Sequence, residues 1–167
     1  MEILLGYASE HGSTRQIAER LAARLQERGH SVDLRSLETR PSAEEYPAVV
    51  LGSAVHSGAW LPPAAEFVRR YRDALGSRPV WMFSVGMTAA LPRPLRRLAS
   101  RSEQPAIARL RETLDPRDYH RFSGAIRPAH LNRTGRVIFR LLGCRYGDFR
   151  DEGEIDAWGV RIARQMQ

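Results

Sequence analysis

The sequence predicts an α/β protein: a parallel sheet covered by helices on both faces. Three observations carry that prediction. Strand-like and helix-like segments alternate along the 167 residues. Ile3-Leu4-Leu5-Gly6-Tyr7-Ala8, Ala48-Val49-Val50-Leu51-Gly52 and Pro79 to Val85 are apolar at successive positions. A strand that is apolar on both of its faces belongs inside a covered sheet. The segments between them carry apolar residues at the 3.6-residue spacing of a helix.

The elements follow in order. Ile3 to Ala8 is a central strand. Ile17, Ala18, Leu21, Ala22 and Leu25 form one stripe of a helix from about Ser13 to Arg28, with Gly29 as its stop. Val32 and Leu34 alternate with Asp33 and Arg35, as in a half-exposed edge strand. Pro41 to Pro47 is polar and acidic, hence a connection, and Ala48 to Gly52 is a second buried strand. Pro62 and Pro63 open the next helix, where missing N–H groups do no harm; Ala64, Phe67, Val68, Tyr71 and Leu75 mark its inner face. Pro79 to Val85 is a third buried strand, followed by a Pro- and Arg-rich stretch from Met87 to Ser102 read as a loop. Ile107, Leu110 and Leu114 mark a helix, Tyr119 to Ile126 a further core strand, and Ile155, Trp158, Ile162 and Met166 the last helix. Trp81 and Trp158 follow core periodicity. One domain, 1–167, is expected, with an insertion at about 127–151 that holds a short basic amphipathic helix around Val137 to Leu142.

The net charge is +7, and every one of the 26 basic residues is arginine. Residues 1–68 hold 6 Arg against 9 acids, and residues 69–167 hold 20 against 10. Such asymmetry suits an anionic partner or a solvated arginine face. No aromatic interleaving accompanies the charge, so nucleic acid is not expected. No apolar run approaches the ~18 residues of a membrane span, and the chain opens on a strand without a basic-then-apolar leader, so a cytoplasmic location is expected. Cys144 stands alone, without a disulfide partner or an activating neighbour. No His, Cys or carboxylate spacing suggests a metal.

Ligands of open α/β sheets sit beyond the carboxyl ends of the strands. After the first strand comes Ser9-Glu10-His11-Gly12-Ser13-Thr14, leading directly into a helix. Unpaired N–H groups and the positive end of the dipole favour an anion there. Ser9, Ser13 and Thr14 add hydroxyl donors, and Gly12 lets the backbone approach. Two further loops share that rim: Ser53-Ala54-Val55-His56-Ser57-Gly58 with Trp60, and Ser84-Val85-Gly86-Met87. Together they suit a phosphate joined to a flat ring. His11 reads as a solvent-facing residue, while His56 and Trp60 lie where a ring would be flanked, Trp60 either against the ring or against the Pro62-Pro63 corner. Arg93, Arg96, Arg97 and Arg101 form a basic cluster beside the third loop. They could meet carboxylates or anionic lipid.

The Ser-x-x-Gly-x-Thr pattern resembles the phosphate loop of flavodoxins. Tyr7 to Ala18, Gly52 to Gly58, Phe67-Val68, Phe83-Ser84-Val85, Gly124-Ala125-Ile126-Arg127 and Gly147 to Asp151 are, in that order, similar to the menaquinone-dependent protoporphyrinogen oxidases. The resemblance spans nearly the whole chain. It implies a three-layer flavodoxin-like sandwich with a five-stranded parallel sheet in the order 2-1-3-4-5. It also implies FMN, its phosphate on Ser9–Thr14 and its ring between the other two loops. The implied enzyme belongs to haem synthesis and passes hydrogen from a porphyrinogen to a quinone. Substrate or peripheral membrane contact then falls to Arg93, Arg96, Arg97, Arg136 and Arg140. A flavodoxin-like electron carrier and an FMN-free binding module remain open.

Overall fold

The computed structural model describes residues 1–167. Its elements are β1 (Glu2–Ala8), α1 (Ser13–Glu27), β2 (Ser31–Ser36), β3 (Ala48–His56), β4 (Ala59–Trp60), α2 (Pro62–Arg70), α3 (Arg72–Gly76), β5 (Val80–Gly86), α4 (Arg93–Arg101), α5 (Pro105–Leu114), β6 (Asp118–Ser123), β7 (Ala125–Ile126), α6 (Arg133–Leu141), β8 (Gly147–Asp148) and α7 (Glu152–Gln165). Five strands pair in parallel in the order β2-β1-β3-β5-β6, the expected five-strand order. β4 adds a short antiparallel strand to the end of β3.

The pleat sends alternate side chains to opposite faces, and two cores result. Ile3, Leu5, Val50, Trp81, Phe83 and Val85 meet Ile17, Leu21 and Leu25 of α1 and Ile155, Trp158 and Ile162 of α7. Leu4, Val49, Leu51 and Met82 meet Phe67 and Val68 of α2, Leu75 of α3, and Ile107 and Leu114 of α5. On the first face the Phe83 ring lies flat over Gly52, where a Cβ would come within 1.9 Å of it. Only glycine fits beneath that ring. No helix is long and apolar enough to cross a membrane.

The structure corrects three local expectations. The helix read through Ala64 to Leu75 is two pieces, α2 and α3, separated at Tyr71 (φ −107°). The stretch from Met87 to Ser102 contains a helix, α4, with none of its residues buried. Its apolar residues face outward, so burial periodicity could not reveal it. The strand read through Ile126 ends at Ser123. Gly124 turns the chain, and Ala125–Ile126 pairs antiparallel with Gly147–Asp148. Between those two short strands α6 packs Phe139 onto Ala90 and Ile126.

One half-buried group makes the fold acid-sensitive. Burial, then the nearby N-terminal charge, holds the His30 imidazole below its ordinary value. The unfolded chain therefore binds more protons than the folded one below pH ~6.5. The neutral ring's contribution to stability is present above that pH and is lost as pH falls through the folded value. Urea unfolding midpoints are expected to fall between pH 7 and pH 5, and by clearly less in His30→Gln.

Candidate functional site

The loops after β1, β3, β5 and β6 meet at the carboxyl edge of the sheet. The first cavity there, about 120 Å3, is lined by Ser9 to His11, Ser13, Thr14, Ala54 to His56, Val85 to Met87, Gly124 to Ile126, His130 and Leu131. Its floor is the start of α1. Gly12 holds φ +94°, and no side chain caps the helix. Within α1, Gln16 is the first residue whose amide bonds backward, to the Gly12 carbonyl at 3.0 Å, and the amides of Ser13, Thr14 and Arg15 have no protein acceptor. Ser9 Oγ accepts from the Gly12 amide at 3.0 Å, and Ser13 Oγ from the Ala125 amide at 3.0 Å. Both hydroxyls act as acceptors in these bonds, so their own protons remain to donate. Several converging N–H and O–H donors at a helix start match the oxygens of a phosphate ester.

The second cleft, about 620 Å3, shares a wall of Val55, Gly86 and Met87 with the first. It opens between the turn at Ser57-Gly58 and the segment Thr88 to Leu91, with Tyr119 and Arg121 behind. Ser57 (φ +50°) and Gly58 (φ +77°) make a two-residue hairpin between β3 and β4. Two successive positive φ values are the signature of the turn that matches strand twist. The cleft's lining includes Arg96 and Arg121 and no carboxylate.

Three expected site residues lie beneath the rim. The hairpin folds Trp60 back under the sheet edge at 4% exposure. Its indole N–H donates to Ser84 Oγ at 2.7 Å, and Tyr119 donates to the same oxygen at 3.0 Å. Ser53 is fully buried, accepts from the Leu61 amide and donates to the Ala54 carbonyl. These groups brace the loops from below, and Trp60 does not reach a ring in the cleft.

Two expected contact arginines are also committed. Arg96 donates to the carbonyls of Ala89 (2.8 Å) and Leu91 (3.1 Å), and Arg136 donates to that of Pro128 (2.9 Å). Arg140 borders an open groove with Val137 and Leu141.

The sequence reading missed Tyr119, Arg121, Gly124 and His130. Arg121 reaches the carbonyls of Ala99, Ser100 and Ser102, and so holds the end of α4, which buries no side chain. His130 stacks on His11 with ring centroids 4.0 Å apart. The signal for Gly124 was present, because it too directly follows a strand. Glu10 lies 3.9 Å from His11 Nε2 and 3.6 Å from His56 Nδ1. No three His, Cys or carboxylate groups are placed to hold a metal ion.

The model of the flavodoxin domain family matches residues 4–150. Protoporphyrinogen IX dehydrogenase (quinone) of Escherichia coli strain K12 is 32% identical over 94 residues, 55% of this chain and 52% of that protein. The chain thus matches about half the length of the curated relatives. Oxidised flavodoxin 1 from Bacillus cereus superposes with a TM-score of 0.62 at 15% identity over 100% of both chains. Rubredoxin oxygen:oxidoreductase from Desulfovibrio gigas gives 0.65 at 14% identity, over 99% of this chain and 36% of that one. At such identities the superpositions show the fold.

Proposed function

From the premise that this chain belongs to the flavodoxin domain family, we propose that it is an FMN-dependent oxidoreductase. The observation that carries the reading is the uncapped start of α1. Its free amides at Ser13, Thr14 and Arg15 stand beside the Ser9 and Ser13 hydroxyls at the first cavity, which shares a wall with the larger cleft. The phosphate of FMN would rest on those donors. The ring would lie between Val55–Gly58 and Gly86–Ala89. When bound, FMN supplies transfer of hydrogen between a donor and an acceptor. The protein's part is to orient the ring, exclude water along Val55 and Met87, and present the positive charge of Arg96 and Arg121 on one side.

A porphyrinogen-type donor and a quinone acceptor follow from the partial likeness to the quinone-linked dehydrogenase. The carboxylate-free cleft suits an anionic donor, and this favours an enzyme over an electron carrier. A quinone acceptor would bring the protein to a lipid surface. Val137, Ile138 and Leu141, the last 80% exposed, stand beside Arg133 and Arg140 on α6, in keeping with such a contact.

The purified protein is expected to be yellow, or to bind added FMN stoichiometrically. A colourless protein that takes up no FMN on titration would end this reading. With FMN bound, anaerobic turnover of protoporphyrinogen with a menaquinone analogue separates enzyme from carrier. For the lipid surface, Arg93→Gln, Arg97→Gln and Arg140→Gln together are expected to weaken binding to phosphatidylserine vesicles about 100-fold, at roughly 1 kcal/mol per arginine. Equal sedimentation with the vesicles would reduce those arginines to a solvated face.

A further inference from the structure

The segment between β7 and α6 returns to the α1 loop and lays one ring on it. His130 lies face to face on His11, with centroids 4.0 Å and planes 4° apart, and both line the first cavity. His130 Nδ1 accepts the Arg127 amide at 3.2 Å, so its neutral ring carries hydrogen on Nε2. The charged and titratable groups facing the pair are Glu10 beside His11, His56 at the end of β3 beyond Glu10, and Arg127 beside His130. Burial, then the charges of His11 and Arg127, hold His130 below its ordinary value.

Two stacked imidazolium rings at this separation would repel each other, so the pair holds at most one proton. A proton on His130 Nδ1 would break the bond that this atom accepts from the Arg127 amide. A phosphate dianion on the free amides of α1 adds to the negative charge of Glu10, 3.9 Å from His11 Nε2, and so favours a proton on the pair. Resting on the reading that this cavity holds the phosphate of FMN, we infer that binding of the phosphate ester is coupled to uptake of one proton from solvent by the His11–His130 pair. Affinity for the phosphorylated ligand therefore falls as pH rises through the imidazole range.

The sign is diagnostic. The ester's own second ionisation, near pH 6, makes it a better ligand for amides as pH rises. A site without the histidine pair would thus show the opposite trend.

The test is fluorescence titration of the apoprotein with FMN and with riboflavin at pH 6, 7 and 8 and fixed ionic strength. FMN is expected to bind about tenfold more tightly at pH 6 than at pH 8, within the limit of tenfold per pH unit for one proton. Riboflavin, which has the ring but no phosphate, is expected to change less than about twofold. His11→Gln and His130→Gln should each abolish or reverse the fall of FMN affinity with pH, and riboflavin affinity should stay as weakly dependent on pH as in the natural protein. FMN affinity that is flat or rising with pH in the natural protein overturns the coupling and leaves the FMN reading intact. A dependence that survives in both variants also overturns it. No FMN binding at any pH removes the FMN reading and the coupling together.

Discussion

Ser13→Asp is expected to lower FMN affinity about 100-fold or more while the melting temperature holds or rises. Ser13 is the first residue of α1, and no acid stands in that helix's first turn. A carboxylate there meets the positive end of the dipole, a stabilisation of about 0.3–1 kcal/mol. It can also keep the bond that Ser13 Oγ accepts from the Ala125 amide. The same charge repels a phosphate dianion. Two like charges at about 4 Å repel by about 1 kcal/mol at the dielectric of water and by about 4 in a partly buried site. The dianion doubles this, and one hydroxyl donor is lost as well. About 3 kcal/mol is a conservative sum, which corresponds to about 100-fold. Titration calorimetry and a thermal melt on one sample read both effects. A variant that binds FMN within tenfold of the natural protein would move the phosphate away from α1.

Trp158→Ala is expected to remove about 3–5 kcal/mol of stability, a large part of what a domain has. Trp158 is 1% exposed, and its indole N–H donates to Asp118 Oδ2 at 2.8 Å. Its ring packs edge-on against Phe83 and Phe122, at 5.8 Å and 5.6 Å. Phe83 in turn lies on Gly52, the middle residue of β3. The cavity would therefore open inside the core between the sheet and α1 and α7. Urea unfolding measures the loss, and Trp158→Phe should recover much of it. A loss below about 1 kcal/mol would mean that α7 collapses into the space.

The framework was legible because its physics is local. Consecutive apolar residues in β1, β3 and β5 and the stripe of α1 state burial directly. The uncapped start of α1 was legible for the same reason, being one continuous stretch from Ser9 to Thr14. What escaped depends on contacts distant in sequence or on the absence of burial. α4 is held at its end by the guanidinium of Arg121, a bond without a sequence signature. His130 reaches His11 only because the chain turns at Gly124. Trp60 was read as a ring neighbour or a packing residue. The Ser57-Gly58 turn returns it beneath the sheet edge, to the indole bond with Ser84. Positive φ at two adjacent positions is the cue that a Ser-Gly pair offers at that point.

The antiparallel pairs Ala125 with Asp148 and Ile126 with Gly147 close a neck through which the chain departs and returns. Residues 127–146 hang from that neck as a cassette. Lengthening it costs only about 0.6 kcal/mol per doubling of the loop, and the register of the five parallel strands is indifferent to its contents. Lineages and engineers can therefore exchange this piece, and with it the histidine laid on His11, while inheriting the sheet unchanged.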